Sequence, residues 1–151
     1  MTPRLDGGAI TAGVHHFRVR VFYEDTDAAG VVYHANYLRF AERGRTEMLR
    51  CLGLDHHALR TRFDLVFAVR RCAVDFIAPA ILDDDLEIRT GLARLGGASL
   101  DLEQQIFRDE RRLTRLEVRL AMISSQMRPK RLPVSLLDAM APMLKGLAQD
   151  Q

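Results

Sequence analysis

Cysteine is scarce in this chain of 151 residues, with Cys51 and Cys72 alone, and both stand in apolar patterns. Two such thiols make no disulfide framework, so both read as buried free thiols of a reducing compartment, neither of them reactive. No long uncharged apolar run is present, which excludes a transmembrane helix. Met1 to Gly13 lacks both the apolar core of a signal peptide and a basic amphipathic face. The balance of charge is also nearly even, at 22 basic against 20 acidic residues. A general attraction to nucleic acid or to an anionic membrane is therefore not expected, and any anion binding must come from local patches. There is no repeat, no low-complexity segment and no Gly-rich phosphate loop for a resident nucleotide cofactor. These absences predict a soluble cytoplasmic protein with no nucleic-acid partner and no stable membrane insertion.

What is present fits one compact domain, since a chain of this length can bury roughly 70% of its unfolded surface. The expected division is a flexible N-terminal segment over 1–13, a single domain over 14–133, and a C-terminal helix and tail over 134–151. His15, Phe17, Val19, Val21 and Tyr23 alternate with His16, Arg18, Arg20 and Glu24, as in a half-buried strand. Tyr37, Phe40, Ala41, Gly44, Met48, Cys51 and Leu52 then recur at steps of three and four, the apolar stripe of an amphipathic helix. Asp55 to Arg62 reads as a short helix capped by Asp55. Leu65 to Ile77 is a strand ended by Pro79. After Asp83-Asp84-Asp85, residues Leu86 to Ala93 alternate as a strand, and Gly96-Gly97 reverses the chain. Strands through Leu100–Ile106 and Thr114–Met122 complete a meander. Ser135 is the expected cap of a last helix bearing Leu136, Met140, Met143, Leu144 and Leu147. One long helix on a twisted five-stranded antiparallel sheet is an α+β solution that hides the helix stripe.

The chemically suggestive stretch is Tyr23-Glu24-Asp25-Thr26-Asp27-Ala28-Ala29-Gly30-Val31-Val32-Tyr33-His34-Ala35-Asn36-Tyr37, where strand hands over to helix. The first N–H groups of a helix have no internal acceptor and carry the positive end of its dipole, so they can hold a developing oxyanion. A loop folding back through Gly30 can set the Asp27 carboxylate beside them, because glycine permits close backbone approach. An Asp there stays ionised and can act as a nucleophile or activate a water. The plain reading, that Asp25, Thr26 and Asp27 are turn formers or caps, is equally open at this level.

This run, continued by Leu38-Arg39-Phe40-Ala41-Glu42-Arg43-Gly44-Arg45-Thr46-Glu47-Met48-Leu49-Arg50, resembles the signature of hotdog-fold acyl-CoA thioesterases. The branch it is most similar to is the YbgC-like, Tol-Pal-associated one of the 4-hydroxybenzoyl-CoA thioesterase family. The resemblance extends through Phe67-Ala68-Val69-Arg70-Arg71, Asp75-Phe76-Ile77-Ala78-Pro79-Ala80, Leu82-Asp83-Asp84-Asp85-Leu86-Glu87-Ile88 and Met127-Arg128-Pro129-Lys130. It implies a hotdog fold, a long central helix wrapped by a five-stranded antiparallel sheet, and hydrolysis of an acyl-CoA with neither metal nor cofactor. The catalytic carboxylate of that family falls on Asp27 and the polarising amide on His34. Tyr33, Asn36 and Tyr37, with Gly30, would shape the substrate site, which in such relatives lies at a subunit boundary. A homodimer, paired again into a tetramer, is thereby implied, and acyl carrier protein is a further candidate partner. Ala41 stands where close relatives carry an aromatic residue, and Gly44 where they carry alanine, so the acyl pocket is expected to differ.

Other candidates are weaker. Adjacent His15 and His16 point to opposite faces of a strand, and neither they nor His56-His57 have the spacing of a zinc site. Ser99 lacks a nucleophile elbow. Glu47 reads as an ion-pair partner of Arg43 or Arg50. Arg128, Lys130 and Arg131 suit coenzyme A phosphates or a solvated cluster, and Arg70 and Arg71 are similarly ambiguous. A non-catalytic acyl-thioester scaffold and a hotdog hydratase or dehydratase are the rival functions. The intact Asp27 argues against the first, and the absence of a matching catalytic His motif against the second.

Overall fold

The computed structural model of the chain describes residues 6–146. Among them six strands form one antiparallel sheet: β1 Ala9–Thr11, β2 Val14–Arg20, β3 Val66–Phe76, β4 Asp85–Leu95, β5 Ser99–Arg108 and β6 Arg111–Ile123. Their order across the sheet is β1-β2-β4-β5-β6-β3. Helix α1, His34–Cys51, lies against the sheet, followed by α2, His56–Phe63, while α3, Val134–Met140, comes after the last strand. The five expected strands are thus joined by a sixth, β1, which pairs Ala9 with His16 and Thr11 with Val14. The segment expected to be flexible contains it.

Alternation along the strands gives the sheet two unlike faces. Leu86, Ile88, Thr90 and Leu92 of β4, Leu100, Leu102, Gln104 and Ile106 of β5, and Leu116, Val118, Leu120 and Met122 of β6 are buried. The alternate residues carry charge across strands. Asp101 accepts from Arg94 at 3.0 Å and from Arg119 at 2.8 Å, and Arg115 contacts Glu103 at 2.7 Å and Glu117 at 2.9 Å. Hydrogen bonds, first from Arg119 and then from Arg94, hold the Asp101 carboxyl well below the usual carboxylate range.

The helix stripe is buried as expected at Tyr37, Phe40, Ala41, Gly44 and Met48. A Cβ built on Gly44 would lie 2.8 Å from Ile88 Cγ2 and 3.4 Å from Gln104 Nε2. Gly44 therefore sets how closely α1 approaches the sheet. Gln104 adds a polar tie, donating to the Ala41 carbonyl at 2.8 Å and to Thr90 Oγ1 at 3.0 Å.

Four local expectations are corrected. Cys51 and Cys72 are both exposed free thiols: Cys51 closes the solvent side of the last turn of α1, and Cys72 lies on edge strand β3. Tyr23 does not continue β2. The strand ends at Arg20, and Tyr23–Asp25 is a 3-10 turn in which Tyr23 is 82% exposed. The cap of α3 is Pro133 and not Ser135, since a proline just ahead of a helix presets the backbone. Leu147 lies outside the described residues. Asp55 does cap α2, accepting from the Ala58 N–H at 2.7 Å, and Glu47 pairs with Arg50 at 3.7 Å.

Because Gly44 meets side chains on two strands, Gly44→Leu is expected to lower the unfolding free energy by roughly 1–3 kcal/mol through overpacking. Gly44→Ala should cost less, since helix propensity gains about 1 kcal/mol against the contact with Ile88. Urea denaturation of both variants measures this, and a leucine variant as stable as the parent would mean that α1 is free to shift.

Candidate active site

The loop between β2 and α1 is tied at both ends. The Asp25 carbonyl accepts the Tyr33 N–H at 2.9 Å and Asn36 Nδ2–H at 2.9 Å, while the Val32 N–H donates to the Ala80 carbonyl at 2.9 Å. Between these ties the chain makes a tight turn. The Asp27 N–H donates to the Val31 carbonyl at 2.9 Å, and the Gly30 N–H to the Asp27 carbonyl at 3.0 Å. Asp27 Oδ1 accepts the Ala29 N–H at 2.9 Å, an Asx turn that fixes the carboxylate while leaving the residue exposed. Gly30 has φ +83° and nothing within 4 Å of a modest side chain's Cβ. Its requirement is the left-handed backbone, not the close approach expected from the sequence.

The turn delivers the chain to a bare helix start. Tyr33 precedes α1 without a side-chain cap, and no acidic residue stands in the first turn. The His34 and Ala35 N–H groups have no acceptor among the described residues. They are the donors that an anion at the positive end of an 18-residue helix would use.

The predicted residues divide into those at this point and those away from it. Tyr33 and His34 are exposed beside it, their rings 4.4 Å apart, and His34 meets Phe76 edge-on at 6.4 Å. Asn36 is buried and spends its amide on Asp25, so it holds the loop from beneath. Tyr37 is buried too, and its hydroxyl accepts the Ala80 N–H at 3.0 Å. Burial raises the Tyr37 phenol above its ordinary value, which keeps it a neutral hydroxyl with its own proton still to donate. Sequence reasoning assigned no site role to Phe76, the last residue of β3, or to Ala80 in the loop after it, which brace this corner.

Arg128, Lys130 and Arg131 lie elsewhere. The segment folds back on the end of β6, with the Lys130 N–H on the Met122 carbonyl and the Ser125 N–H on Asp64 Oδ1. Ile123 there pairs with Val66, whereas Phe76, at the other end of β3, touches His34 and Tyr37. Ten strand residues at about 3.3 Å each separate these ends by roughly 30 Å. Within one chain the basic segment and the helix start are not brought together. Arg70 and Arg71 lie exposed in the middle of β3, at an irregularity in its pairing with β6. Among the described residues no group of three or more His, Cys, Asp or Glu side chains could hold a metal ion, and no helix is long and apolar enough to cross a membrane.

A groove of about 280 Å³ runs along α1 beside β3 and β6, lined by Leu38, Glu42, Arg45, Val69, Cys72 and Val118 among others. Beyond it lies a second cavity of about 190 Å³ among Met48, Leu49, Phe67, Leu100, Leu102 and Met140, which shares Glu42, Arg45 and Val69 with the groove.

Known proteins with this arrangement are readily found. The acyl-CoA thioesterase YbgC of Haemophilus influenzae is 42% identical over 118 residues, spanning 78% of this chain and 87% of that protein. The acyl-CoA thioester hydrolase YbgC of Escherichia coli O157:H7 is 46% identical over 121 residues, 79% and 90% of the two chains. Among solved structures, a probable thioesterase from Bartonella henselae matches at TM-score 0.77 and 42% identity, covering 80% of this chain and 99% of that one. A gentisyl-coenzyme A thioesterase matches at TM-score 0.75 and 27% identity, over 85% and 99%. Residues 21–144, which begin directly after β2 and extend past α3, match the thioesterase-like superfamily, and with a hotdog α+β architecture shared with these structures the chain belongs to that family.

Proposed function

We propose that the protein hydrolyses an acyl-CoA thioester to a carboxylic acid and free coenzyme A, at the turn that joins Asp27 to the start of α1. The observation that carries this reading is the pairing of a carboxylate pinned by the Ala29 N–H with two helix N–H groups that nothing in the described chain accepts. The first is a nucleophile or base and the second an oxyanion site, the two requirements of acyl transfer. The relatives named thioesterases supply the substrate class.

With the thioester carbonyl on the His34 and Ala35 amides, two routes are open. Asp27 can attack the carbonyl carbon, expelling coenzyme A as thiolate and leaving a mixed anhydride that water cleaves. Alternatively Asp27 takes a proton from a water that attacks directly, and the thiolate leaves with that proton. In both, negative charge grows on the carbonyl oxygen, where the helix dipole favours it. Tyr33, His34 and Phe76 give the mouth of the site an aromatic wall, and Tyr37 and Asn36 act by holding the loop. The acyl chain is assigned to the groove along α1. A cytoplasmic setting and an oligomeric active species, dimer or tetramer, belong to this proposal, and acyl carrier protein is an alternative thioester donor.

Asp27→Asn is expected to lower turnover by at least about a hundredfold, the scale of acid–base or nucleophilic contributions, with unchanged circular dichroism. Thiol release from a panel of short, long and aromatic acyl-CoAs measures it, and near-normal turnover of this variant on every substrate would defeat the mechanism. The basic segment gives a separate test. If Arg128, Lys130 and Arg131 bind the nucleotide phosphates, their neutralisation should raise KM several-fold for acyl-CoA and leave it unchanged for an acyl-pantetheine, with kcat spared, because lost uniform binding appears in KM alone. Equal losses on both substrates would assign the segment to folding or assembly.

A further inference from the structure

Arg45 is a half-buried cation of α1 that the fold leaves without a counter-charge. Its Nη1 donates to Gln104 Oε1 at 3.0 Å, and Gln104 is itself clamped by its donations to the Ala41 carbonyl and Thr90 Oγ1. The guanidinium is thereby held in one direction. Nε and Nη2, the two donors along one edge of its fork, meet no acceptor among the described residues. Burial pushes Arg45 below its ordinary value against the opposing charge of Glu42. Yet Glu42, three residues earlier, is exposed and makes no ion pair with it, although Glu47 and Arg50 do pair at the same spacing on the same helix. Withdrawing a charge from water is costly unless it is paired.

Arg45 stands where two cavities meet. It lines the groove along α1 together with Leu38, Val69 and Val118, and the second cavity together with Met48 and Phe67. In that second cavity Thr46 Oγ1 and His56 Nε2 satisfy one another at 3.1 Å. Burial also holds the His56 imidazole below its ordinary value, so it is uncharged at neutral pH. Arg45 is therefore the one fixed positive charge in the wall of that cavity among the described residues. The groove has a second cation, Arg39, which is exposed and so is screened by water. The two differ in depth. Arg45 is eleven residues past His34, about 16 Å along the axis of α1, and Arg39 only five, about 7.5 Å.

We infer that Arg45 reads the far end of the acyl chain, and that the preferred substrates are medium-length acyl-CoA thioesters ending in a carboxylate. This rests on the proposed hydrolysis and names its substrate class. The thioester carbonyl sits on the His34 and Ala35 amides, and the chain lies along the groove past Leu38. Helix side chains lean back toward the N-terminus, so a terminal carboxylate meets the Arg45 fork after roughly 10–14 Å, about eight to twelve bonds of extended chain at roughly 1.2 Å each. A carboxylate offers two acceptors at the spacing of Nε and Nη2, a bidentate match that neither a hydroxyl nor a methyl end can make. A methyl-ended chain of the same length would cover the guanidinium and leave it as unpaired as before. Glu42 opposes an acid at this point, but its exposure lets water screen that charge, whereas the attraction of a half-buried Arg45 is screened less.

The test compares decanedioyl-CoA with decanoyl-CoA by thiol release, read as the ratio of their kcat/KM values. The parent should favour the diacid thioester at least about tenfold, since a site built to bond a group rejects the analogue that lacks it. Arg45→Met should cut that ratio by at least about tenfold, mainly through KM for the diacid substrate. Arg45→Lys keeps the charge without the fork and should fall between the two. If Arg45→Met does not fold, the lysine variant and the parent's own preference decide. A parent indifferent to the chain end, variants that lower both substrates equally, or an ω-hydroxydecanoyl-CoA turned over as well as the diacid would overturn the assignment. So would a preference that peaks at hexanedioyl-CoA, because Arg39 would then be the cation in reach. Calorimetry with free decanedioate and decanoate needs no hydrolysis: the parent should bind the diacid more tightly, and Arg45→Met should weaken it at least about tenfold with circular dichroism unchanged. If decanedioate binds through Arg45 but no acyl-CoA is hydrolysed, the carboxylate site stands and the hydrolytic reading falls. If decanoyl-CoA is hydrolysed with no gain for the diacid, the hydrolytic reading stands and the carboxylate site falls.

Discussion

Everything at the candidate site depends on the Asp25 carbonyl, which receives two donors from the beginning of α1, the Tyr33 N–H and Asn36 Nδ2–H. A buried carbonyl satisfied twice fixes the loop to the helix as one body. Without that fastening, Asp27 would hang on a surface turn with no set relation to the helix amides. With it, the short path through Gly30 has one geometry open to it, and the left-handed residue completes the turn. The buried Asn36 is therefore as consequential as the exposed Asp27, although it contributes no chemistry.

The second constraint is the distance between α1 and the sheet. Gly44 lets Ile88 approach, and Gln104 ties the helix carbonyl of Ala41 to Thr90 on β4. Since β5 supplies Gln104 and Gln104 orients Arg45, one polar side chain in the core links sheet, helix and groove. Burying an amide is costly unless it is fully bonded, and here both its ends are used. The same residue stabilises the fold and aims a cation outward.

Much of this was legible in the sequence because it rests on period and on residues with restricted backbones. The helix stripe from Tyr37 to Met48 and the alternation through β4, β5 and β6 reflect burial on one face, which sequence pattern records directly. Gly30 and the Asp27 loop were legible through turn chemistry and through likeness to other thioesterases. What was not legible depended on which face is left uncovered. Cys72 stands in an apolar alternation and faces the same side as the core, yet it is exposed because β3 has no strand beyond it. Tyr23 continues the β2 alternation but is the first residue of the 3-10 turn. The basic segment after β6 lies near the Asp27 loop in neither sequence nor fold, and only the strand register shows how far apart they are. Asn36 could have been read from its position three residues into a helix that lacks a capping side chain, since some other group must then secure the loop.

The absent cap has a consequence for evolution and engineering. A Ser, Thr, Asn or Asp at the position of Tyr33 would typically stabilise a helix by about 1 kcal/mol, and α1 forgoes that gain. A search for thermostable variants by consensus helix rules would select this position early, and the oxygen it introduced would accept from the Ala35 or Asn36 N–H, the first of them a donor proposed here for an acyl oxygen. Selection for heat resistance and selection for turnover thus oppose one another at a single residue, and a stabilised chain of this family that keeps an uncapped first turn has found its stability elsewhere.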